Sequence, residues 1–165
     1  MNLKSSKRYV AVVAALCLLC VGMSGCLNIS SGGYQFQSGQ THPPQISDLL
    51  KNGSTVLLFI TKNNCPDCEA MKPKIADLQS QLNGTNFTLQ GTSVTTPSTN
   101  ATKQSNLTFI RVDINDNLQS YNIGAQYGAT TLPTIVVIRT DGAVAVFKGP
   151  TDENLIKSAI KDAQK

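Results

Sequence analysis

The sequence contains no tryptophan and one histidine, and charged residues make up only 15% of its 165 positions. It has no basic helix and no interleaving of basic with aromatic residues, so we expect no nucleic-acid partner. The formal net charge is +4, and part of it lies in Lys4, Lys7 and Arg8 near the N-terminus. The length allows one domain with a proper core and is short for two.

A clear membrane-spanning run is also lacking. The uncharged apolar run at residues 10–23 is shorter than the roughly 18 residues that such a span requires. It follows a positively charged start and ends in the small residues Ser24 and Gly25. This order predicts an export signal at residues 1–25 that is removed from the mature protein.

Three of the five cysteines lie in this first part of the chain. Cys17 and Cys20 fall within the apolar run, where thiolate chemistry has no water, so we interpret them as part of the signal. The stretch from Met23 to Cys26 resembles a lipobox, with Met23 in place of the usual aliphatic residue. The resemblance implies that Cys26 becomes a lipid-carrying N-terminus. The alternative is an uncleaved anchor with a chance cysteine.

Residues 26–45 are rich in Ser, Gly, Gln, Thr and Pro, a composition that predicts a flexible tether. Tyr34 and Phe36 alternate with glutamines, which predicts a short edge strand within this tether. His42 is the only histidine, and we expect it to be solvated there without a role.

Apolar patterns predict a folded α/β domain at residues 46–165, with the order β-α-β-α-β-β-α and a central mixed sheet covered by helices on both faces. The predicted elements are a helical turn at 47–51, a buried strand at 55–61, an amphipathic helix from C-P-D-C to Asn83-Gly84, a strand at 107–112, a helix at 117–127, strands at 134–139 and 143–147 joined by Asp141-Gly142, and a last helix capped by Thr151.

Residues 83–106 contain much Thr, Ser, Asn and Gly and little apolar surface, which predicts a poorly ordered insertion in the domain. The sequence has N-x-S/T sequons at Asn28, Asn52, Asn83, Asn86, Asn100 and Asn106. Their clustering indicates an exported surface loop open to glycosylation, although a Thr- and Asn-rich segment also forms sequons by chance.

The C-P-D-C motif directly follows a buried strand and opens a helix. We expect Cys65 at the N-cap and Pro66 at the first helical position, so that free N–H groups and the helix dipole stabilise the Cys65 thiolate. Cys68 lies one turn further on the same face, where it can close a disulfide with Cys65 and resolve a mixed disulfide. The Asp67 carboxylate opposes thiolate formation, which favours a reducing over a strongly oxidising pair.

A zinc site and a structural disulfide are the two alternatives to a redox role for this cysteine pair. The cysteine pair would supply half of the ligands of a zinc site. The other half would need a second cysteine pair or histidines, which the predicted domain does not offer. An inert structural disulfide would close too short a loop to add much stability. We therefore predict a redox pair and no metal site.

The chain resembles thioredoxin-like proteins over residues 56–164. The motifs that carry the resemblance are C-P-D-C after an apolar strand, Pro73 five residues after Cys68, Tyr127-Gly128 followed by Thr131-Leu132-Pro133-Thr134, and Asp141-Gly142 with Gly149 before the last helix. The resemblance implies a thioredoxin fold, a cis bond before Pro133 that faces the cysteine pair, and a Leu132 backbone that pairs with an extended substrate segment. An ordinary trans proline at a strand start is the alternative.

The chain also departs from this family. Phe59 stands where thioredoxins have a buried aspartate beneath the active site, so that proton acceptor is missing. Asn64 replaces the usual aromatic residue before the first cysteine, and Pro66 has the position that proline takes in glutaredoxins. Arg111 matches the place of a lysine near the site. It would tune the cysteine pair, or else be a solvated or packing arginine.

These features predict an extracytoplasmic thiol–disulfide oxidoreductase, a protein-disulfide reductase or isomerase, that needs no cofactor. Its expected partners are protein thiols and disulfides, an electron donor or acceptor that the sequence does not identify, and a cell membrane that holds its lipid anchor on the outer face. The alternatives are a redox-inactive thioredoxin-fold binding module and a glycosylated surface protein. The last of these leaves the cysteine pair unexplained.

Native protein isolated from its membrane should begin at Cys26 and carry lipid there, because the lipobox-like stretch predicts cleavage just before that residue. Mass spectrometry of the N-terminal peptide measures both features, and peptides that contain Cys17 or Cys20 should be absent. A soluble product or an intact N-terminus would contradict the lipid anchor.

Overall fold

The computed structural model describes residues 33–82, 85–90, 93–95 and 106–165, so the predicted signal and Cys26 lie outside the described residues. The described part of the chain forms, in order, α1 (Pro44–Lys51), β1 (Thr55–Thr61), α2 (Pro66–Gln81), β2 (Thr85–Gln90), β3 (Ser93–Thr95), β4 (Leu107–Asp113), α3 (Leu118–Gln126), β5 (Thr134–Ile138), β6 (Val144–Lys148) and α4 (Glu153–Ala163). Within these ranges, no helix has the length and apolar character to cross a membrane.

The strands form one mixed sheet with the order β3-β2-β4-β1-β5-β6. β4 runs parallel to both β1 and β2, whereas β1 pairs antiparallel with β5. The β2–β3 and β5–β6 pairs are antiparallel. The predicted α/β class with a mixed central sheet is therefore confirmed.

The core lies on both faces of this sheet, and β1 is buried along its whole length. Leu57 and Phe59 belong to one apolar cluster, and Val56, Leu58 and Ile60 belong to the other, as alternation along a strand requires. Helices α2 and α4 cover the first face, through Met71, Ile75, Leu78, Ile156, Ala159 and Ile160. Helices α1 and α3 cover the second face, through Ile46, Leu50 and Ile123. This double burial explains why β1 is an uninterrupted apolar run.

The prediction that residues 83–106 are poorly ordered is wrong where the structure describes them. β2 and β3 lie there and extend the sheet beyond β4, with Thr85 in register with Thr108. Their sequences, T-N-F-T-L-Q and S-V-T, are rich in β-branched residues, which favour an extended backbone despite low apolar content. The sequons at Asn28, Asn83 and Asn100 lie outside the described residues.

The predicted tether is wrong for residues 33–45, which pack on the domain. Tyr34 is buried, and its ring centroid lies 5.7 Å from that of Phe147. Gln37 forms an isolated antiparallel bridge with Val144 in place of the predicted edge strand. The tether composition is misleading because a few specific contacts, such as that of the buried Tyr34 and the Gln37 bridge, hold a segment with little apolar content.

His42 is not solvated, contrary to the prediction. Its Nε2 lies 2.8 Å from the carbonyl oxygen of Gly142, which can only accept, so Nε2 carries the proton and donates. In the neutral ring, Nδ1 then accepts from the Tyr127 hydroxyl at 2.8 Å. The His42 and Tyr127 rings are also stacked, with centroids 6.1 Å apart. His42 therefore joins the N-terminal segment, residues 33–42, to the end of α3 and to the β5–β6 turn.

Two helix starts also differ from prediction. The N-cap of α4 is Asp152, whose side chain accepts from the N–H groups of Asn154 and Leu155, whereas Thr151 donates its hydroxyl hydrogen to the Gly149 carbonyl. A carboxylate is the stronger acceptor for free N–H groups at a helix start. The first helix begins at Pro44, because proline suits a first helical position.

Tyr127 should make the stability of the fold depend on alkaline pH. Burial raises the pKa of Tyr127 well above its ordinary value of about 10. The neutral hydroxyl thus stabilises the fold fully below pH ~10, and this stability is lost as pH rises from there through the raised pKa, by up to about 1.4 kcal/mol per pH unit.

Chemical unfolding between pH 8 and 11 measures this loss. Tyr127→Phe should remove that part of the pH dependence, while Tyr121→Phe, a control at an exposed position of α3, should keep it. Equal alkaline slopes in the two variants would show that Tyr127 does not ionise on unfolding.

Candidate active site

A short loop connects β1 to α2 and sets the position of the cysteine motif. Asn64, at its end, has φ 57°, a left-handed conformation that asparagine tolerates. Cys65 follows as the N-cap residue of α2 with an extended backbone (φ −113°, ψ 100°), and Pro66 lies in the first turn. The motif therefore has the strand-to-helix context that its sequence predicts.

Cys65 and Cys68 form a disulfide, and their Cα atoms lie 5.2 Å apart. The backbone N–H of Cys68 donates to the Cys65 Sγ at 3.2 Å. Cys68 is completely buried, whereas Cys65 keeps 6% of its surface exposed. Cys65 is thus the more exposed of the two residues, and Cys65 is the predicted attacking cysteine and Cys68 the predicted resolving one. These roles stay predictions.

Opposing electrostatic effects meet at the first turn of α2. The free N–H groups at the helix start favour negative charge on the Cys65 sulfur. Asp67 and Glu69 add carboxylates in the same turn. Glu69 is paired with Lys72, whereas Asp67 is exposed and has no ion pair with any described residue. Asp67 is therefore the carboxylate whose charge acts most directly on the cysteine pair.

The predicted cis bond is present between Leu132 and Pro133. The next residue, Thr134, begins β5 and is in register with Ile60, near the end of β1. The buried Pro133 and the cysteine motif that follows β1 therefore lie at the same end of the sheet. A hydrogen bond of 2.8 Å from the Gly149 N–H to the Pro133 carbonyl ties the proline to the residue after β6.

Leu132 is half-buried, and its backbone is available for pairing. Neither its N–H nor its C=O forms a hydrogen bond with a described residue. The neighbouring carbonyl groups are both in use, since the Thr131 carbonyl accepts from the Thr134 hydroxyl at 2.5 Å and Pro133 accepts from Gly149. No described residue therefore competes with a substrate for the Leu132 backbone groups, and the substrate-binding role of Leu132 stays a prediction.

Phe59 and Arg111 lie in register on β1 and β4. Phe59 is buried in the same apolar cluster as Met71 and Ile75 of α2, so no acidic side chain takes its place beneath the motif helix. Arg111 is exposed and forms no ion pair with the described residues. Its role in tuning the cysteine pair also stays a prediction.

Asp113 is a buried carboxylate that sequence analysis missed. It is 7% exposed, ends β4 and lies in register with Thr61, the last residue of β1. It accepts a hydrogen bond of 3.0 Å from the Asn115 N–H and so shapes the loop beside the motif. The signal that could have found it is its position at the carboxyl end of a central strand, where α/β sheets concentrate functional residues. Across the described ranges, no group of three His, Cys, Asp or Glu side chains is arranged to hold a metal ion.

Residues 43–164 match the sequence profile described as a thioredoxin-like domain. The chain belongs to the thioredoxin-like family. No protein of curated function matches it. Its fold is similar to that of a mutant thioredoxin from Halobacterium salinarum, with a TM-score of 0.52 and 17% identity over 76% of this chain and 88% of that one. It is also similar to oxidised mitochondrial thioredoxin 3 from Saccharomyces cerevisiae (TM-score 0.51, 16% identity, 72% and 87% covered) and to Fasciola hepatica thioredoxin (TM-score 0.50, 19% identity, 72% and 90% covered).

At these identities the structural likeness establishes the thioredoxin fold, and the chemistry follows from this chain's own residues. A thioredoxin-like domain that holds a CxxC disulfide at the start of a helix supports thiol–disulfide oxidoreductase activity in general. Reduction of this disulfide gives two thiols on residues whose Cα atoms lie 5.2 Å apart in the disulfide form, where Cys65 keeps 6% of its surface exposed and Cys68 none. That is the arrangement that disulfide exchange through a mixed-disulfide intermediate needs.

Replacing Asp67 with histidine should raise the reduction potential of the cysteine pair, on the order of tens of millivolts, and lower the pKa of the Cys65 thiol. The change removes a carboxylate and adds a group that carries partial positive charge near neutral pH, so it stabilises the thiolate of the reduced form. Equilibration with glutathione buffers measures the potential, and thiolate absorbance against pH measures the pKa.

Asp77→His is the matched control, because Asp77 is an exposed carboxylate further along the same helix. It should leave both quantities unchanged. The role given to Asp67 is wrong if Asp67→His changes neither quantity, or if the unsubstituted protein already equilibrates as a strong oxidant.

Proposed function

We propose that this thioredoxin-like protein is an extracytoplasmic protein-disulfide reductase or isomerase. The observation that carries the proposal is the occurrence, at one end of the sheet, of Cys65, which keeps 6% of its surface exposed, and a Leu132 backbone that no described residue pairs with. An extended substrate segment that pairs with Leu132 would bring its own disulfide to the Cys65 sulfur.

The proposed cycle starts from the reduced pair. The Cys65 thiolate attacks one sulfur of a substrate disulfide, the substrate S–S bond breaks, and the released substrate thiolate takes up a proton. The Cys68 sulfur, having lost its proton, then attacks Cys65 in the mixed disulfide and releases the second substrate thiolate. Two electrons pass from the Cys65–Cys68 dithiol to the substrate, and the pair ends as a disulfide. An external dithiol of unidentified origin would reduce it again.

The buried Phe59 affects the second step of this cycle. With no acid beneath α2, the proton of the Cys68 thiol has no internal acceptor at that position. We infer that it passes to the departing substrate thiolate or to water that enters when the mixed disulfide opens. Release of substrate by Cys68 would therefore be the slower of the two exchange steps.

The same Phe59 favours one competing function, a redox-inactive binding module that uses the fold only to hold a partner. The two functions differ in turnover. A reductase consumes a dithiol and reduces many insulin disulfides per molecule, whereas a binding module does not.

The extracytoplasmic location rests on the sequence of residues 1–26. An exported domain meets proteins whose disulfides form in an oxidising compartment, and these are the substrates that a reductase or isomerase needs. Lipid on Cys26 would hold the domain at the outer face of the cell membrane.

Cys68→Ser should trap a stable mixed disulfide with insulin, because Cys65 can still attack and no second thiol can resolve the intermediate. The matched variant Cys65→Ser should trap little, since its remaining thiol is buried. Non-reducing gels of the full chain in detergent measure the yields, and the unsubstituted chain should precipitate insulin through continued turnover with dithiothreitol. Equal trapping by both variants would overturn the role assignment, and absence of turnover would favour the binding module.

A further inference from the structure

A cavity of about 510 Å³ lies between the N-terminal segment, the end of α3 and β6. The residues around it that matter here are Gln37, Gln40, Gln126, Tyr127, Val146 and Lys148. The cavity is separate from the cysteine motif, because no residue of α2 or of the loop before it lines the space. Its size is within the usual range for ligand pockets.

One wall of this cavity is a strand edge with open hydrogen-bonding groups. β6 is the last strand of the sheet on this side. Along it, alternate residues direct their backbone groups away from β5, and Val144 does so toward Gln37, with which it exchanges hydrogen bonds of 2.8 and 2.9 Å. Val146 and Lys148 share the orientation of Val144, and no described residue bonds to their outward N–H and C=O groups.

The N-terminal segment leaves β6 after a single bridge because Tyr34 turns into the core. Tyr34 is 6% exposed, and its hydroxyl donates to Asp162 of α4. The segment therefore does not continue along the edge, and the cavity occupies the space beside Val146 and Lys148. An extended peptide could add there as a further strand.

The charge of the lining indicates which peptide fits. Among the described residues that line the cavity, Lys148 is the only charged one, and the others are glutamines, glycines, tyrosines and valines. Its Nζ lies 3.8 Å from the point that a Cβ on Gly128 would occupy, and it forms no ion pair with a described residue. Lys148 is exposed, and a carboxylate on the peptide would form a charge-assisted hydrogen bond with its ammonium group.

We propose that the β6 edge and this cavity form a binding site for an extended peptide segment that carries a carboxylate. Lys148 is in register with Thr134, directly after Pro133. A segment bound along β6 thus ends beside the cis-proline loop. If the proposed reductase function holds, on which this last step rests, the site selects substrates that have an acidic extended segment near their disulfide.

Fluorescence anisotropy tests the site with two labelled peptides, acetyl-Thr-Val-Thr-Val-Glu-amide and the same peptide with Lys in place of Glu. The full chain with both Cys65→Ser and Cys68→Ser is used in detergent, so that no disulfide exchange contributes. We expect saturable binding of the Glu peptide, at least tenfold weaker binding of the Lys peptide, and a reversal of this preference in Lys148→Glu.

Lys74→Glu is the matched control, because Lys74 is an exposed lysine of α2 that does not line the cavity. It should leave both affinities unchanged, and in the parent chain the Glu peptide should shift the backbone amide resonances of Val146 and Lys148. Equal binding of the two peptides, no reversal in Lys148→Glu, or no binding at millimolar peptide would overturn the proposal. Absence of insulin turnover by the unsubstituted chain, with peptide binding intact, would instead overturn the reductase function alone.

Discussion

Strand β1 is covered by helices on both faces and paired on both edges, and these four contacts hold the rest of the molecule in place. All of its residues are buried, including the threonines at its two ends, so the strand has no face that could lie at a surface. Its register with β4 and β5 brings Asp113 and Thr134 to the end of the sheet where β1 stops. The cysteine motif, the loop that follows Asp113 and the cis-proline loop therefore lie at one end of the sheet.

The chemistry at this end depends on a balance between effects of opposite sign. The helix start favours a thiolate on Cys65, while Asp67 opposes it and Glu69 is largely neutralised by Lys72. Beneath the helix, Phe59 provides packing and no proton acceptor. A proton on the Cys68 thiol therefore has no acceptor at that position. Phe59 stands in place of the buried aspartate of thioredoxins, and the fold alone does not reveal this difference from the family pattern.

The elements that sequence could predict are those with strong local patterns. β1, the C-P-D-C helix start and the cis-proline segment each carry a continuous motif, and the structure has all three. What the sequence could not show depends on contacts between distant residues. Tyr34 is buried only because Phe147 and α4 lie beside it, and β2 forms only because β4 offers an open edge. Low apolar content was therefore a poor guide at residues 83–106 and 33–45.

The small network around His42 has a consequence for where this domain begins. The match to the family starts at residue 43, one position after His42, so a domain boundary drawn from that match removes the whole N-terminal segment. A chain truncated there would leave the buried Tyr127 hydroxyl without its acceptor, at a cost of roughly 1–3 kcal/mol. It would also uncover Phe147, which Tyr34 covers. The physical unit of folding is thus longer than the family unit, and Tyr34 is the first of the described residues with a part in the core.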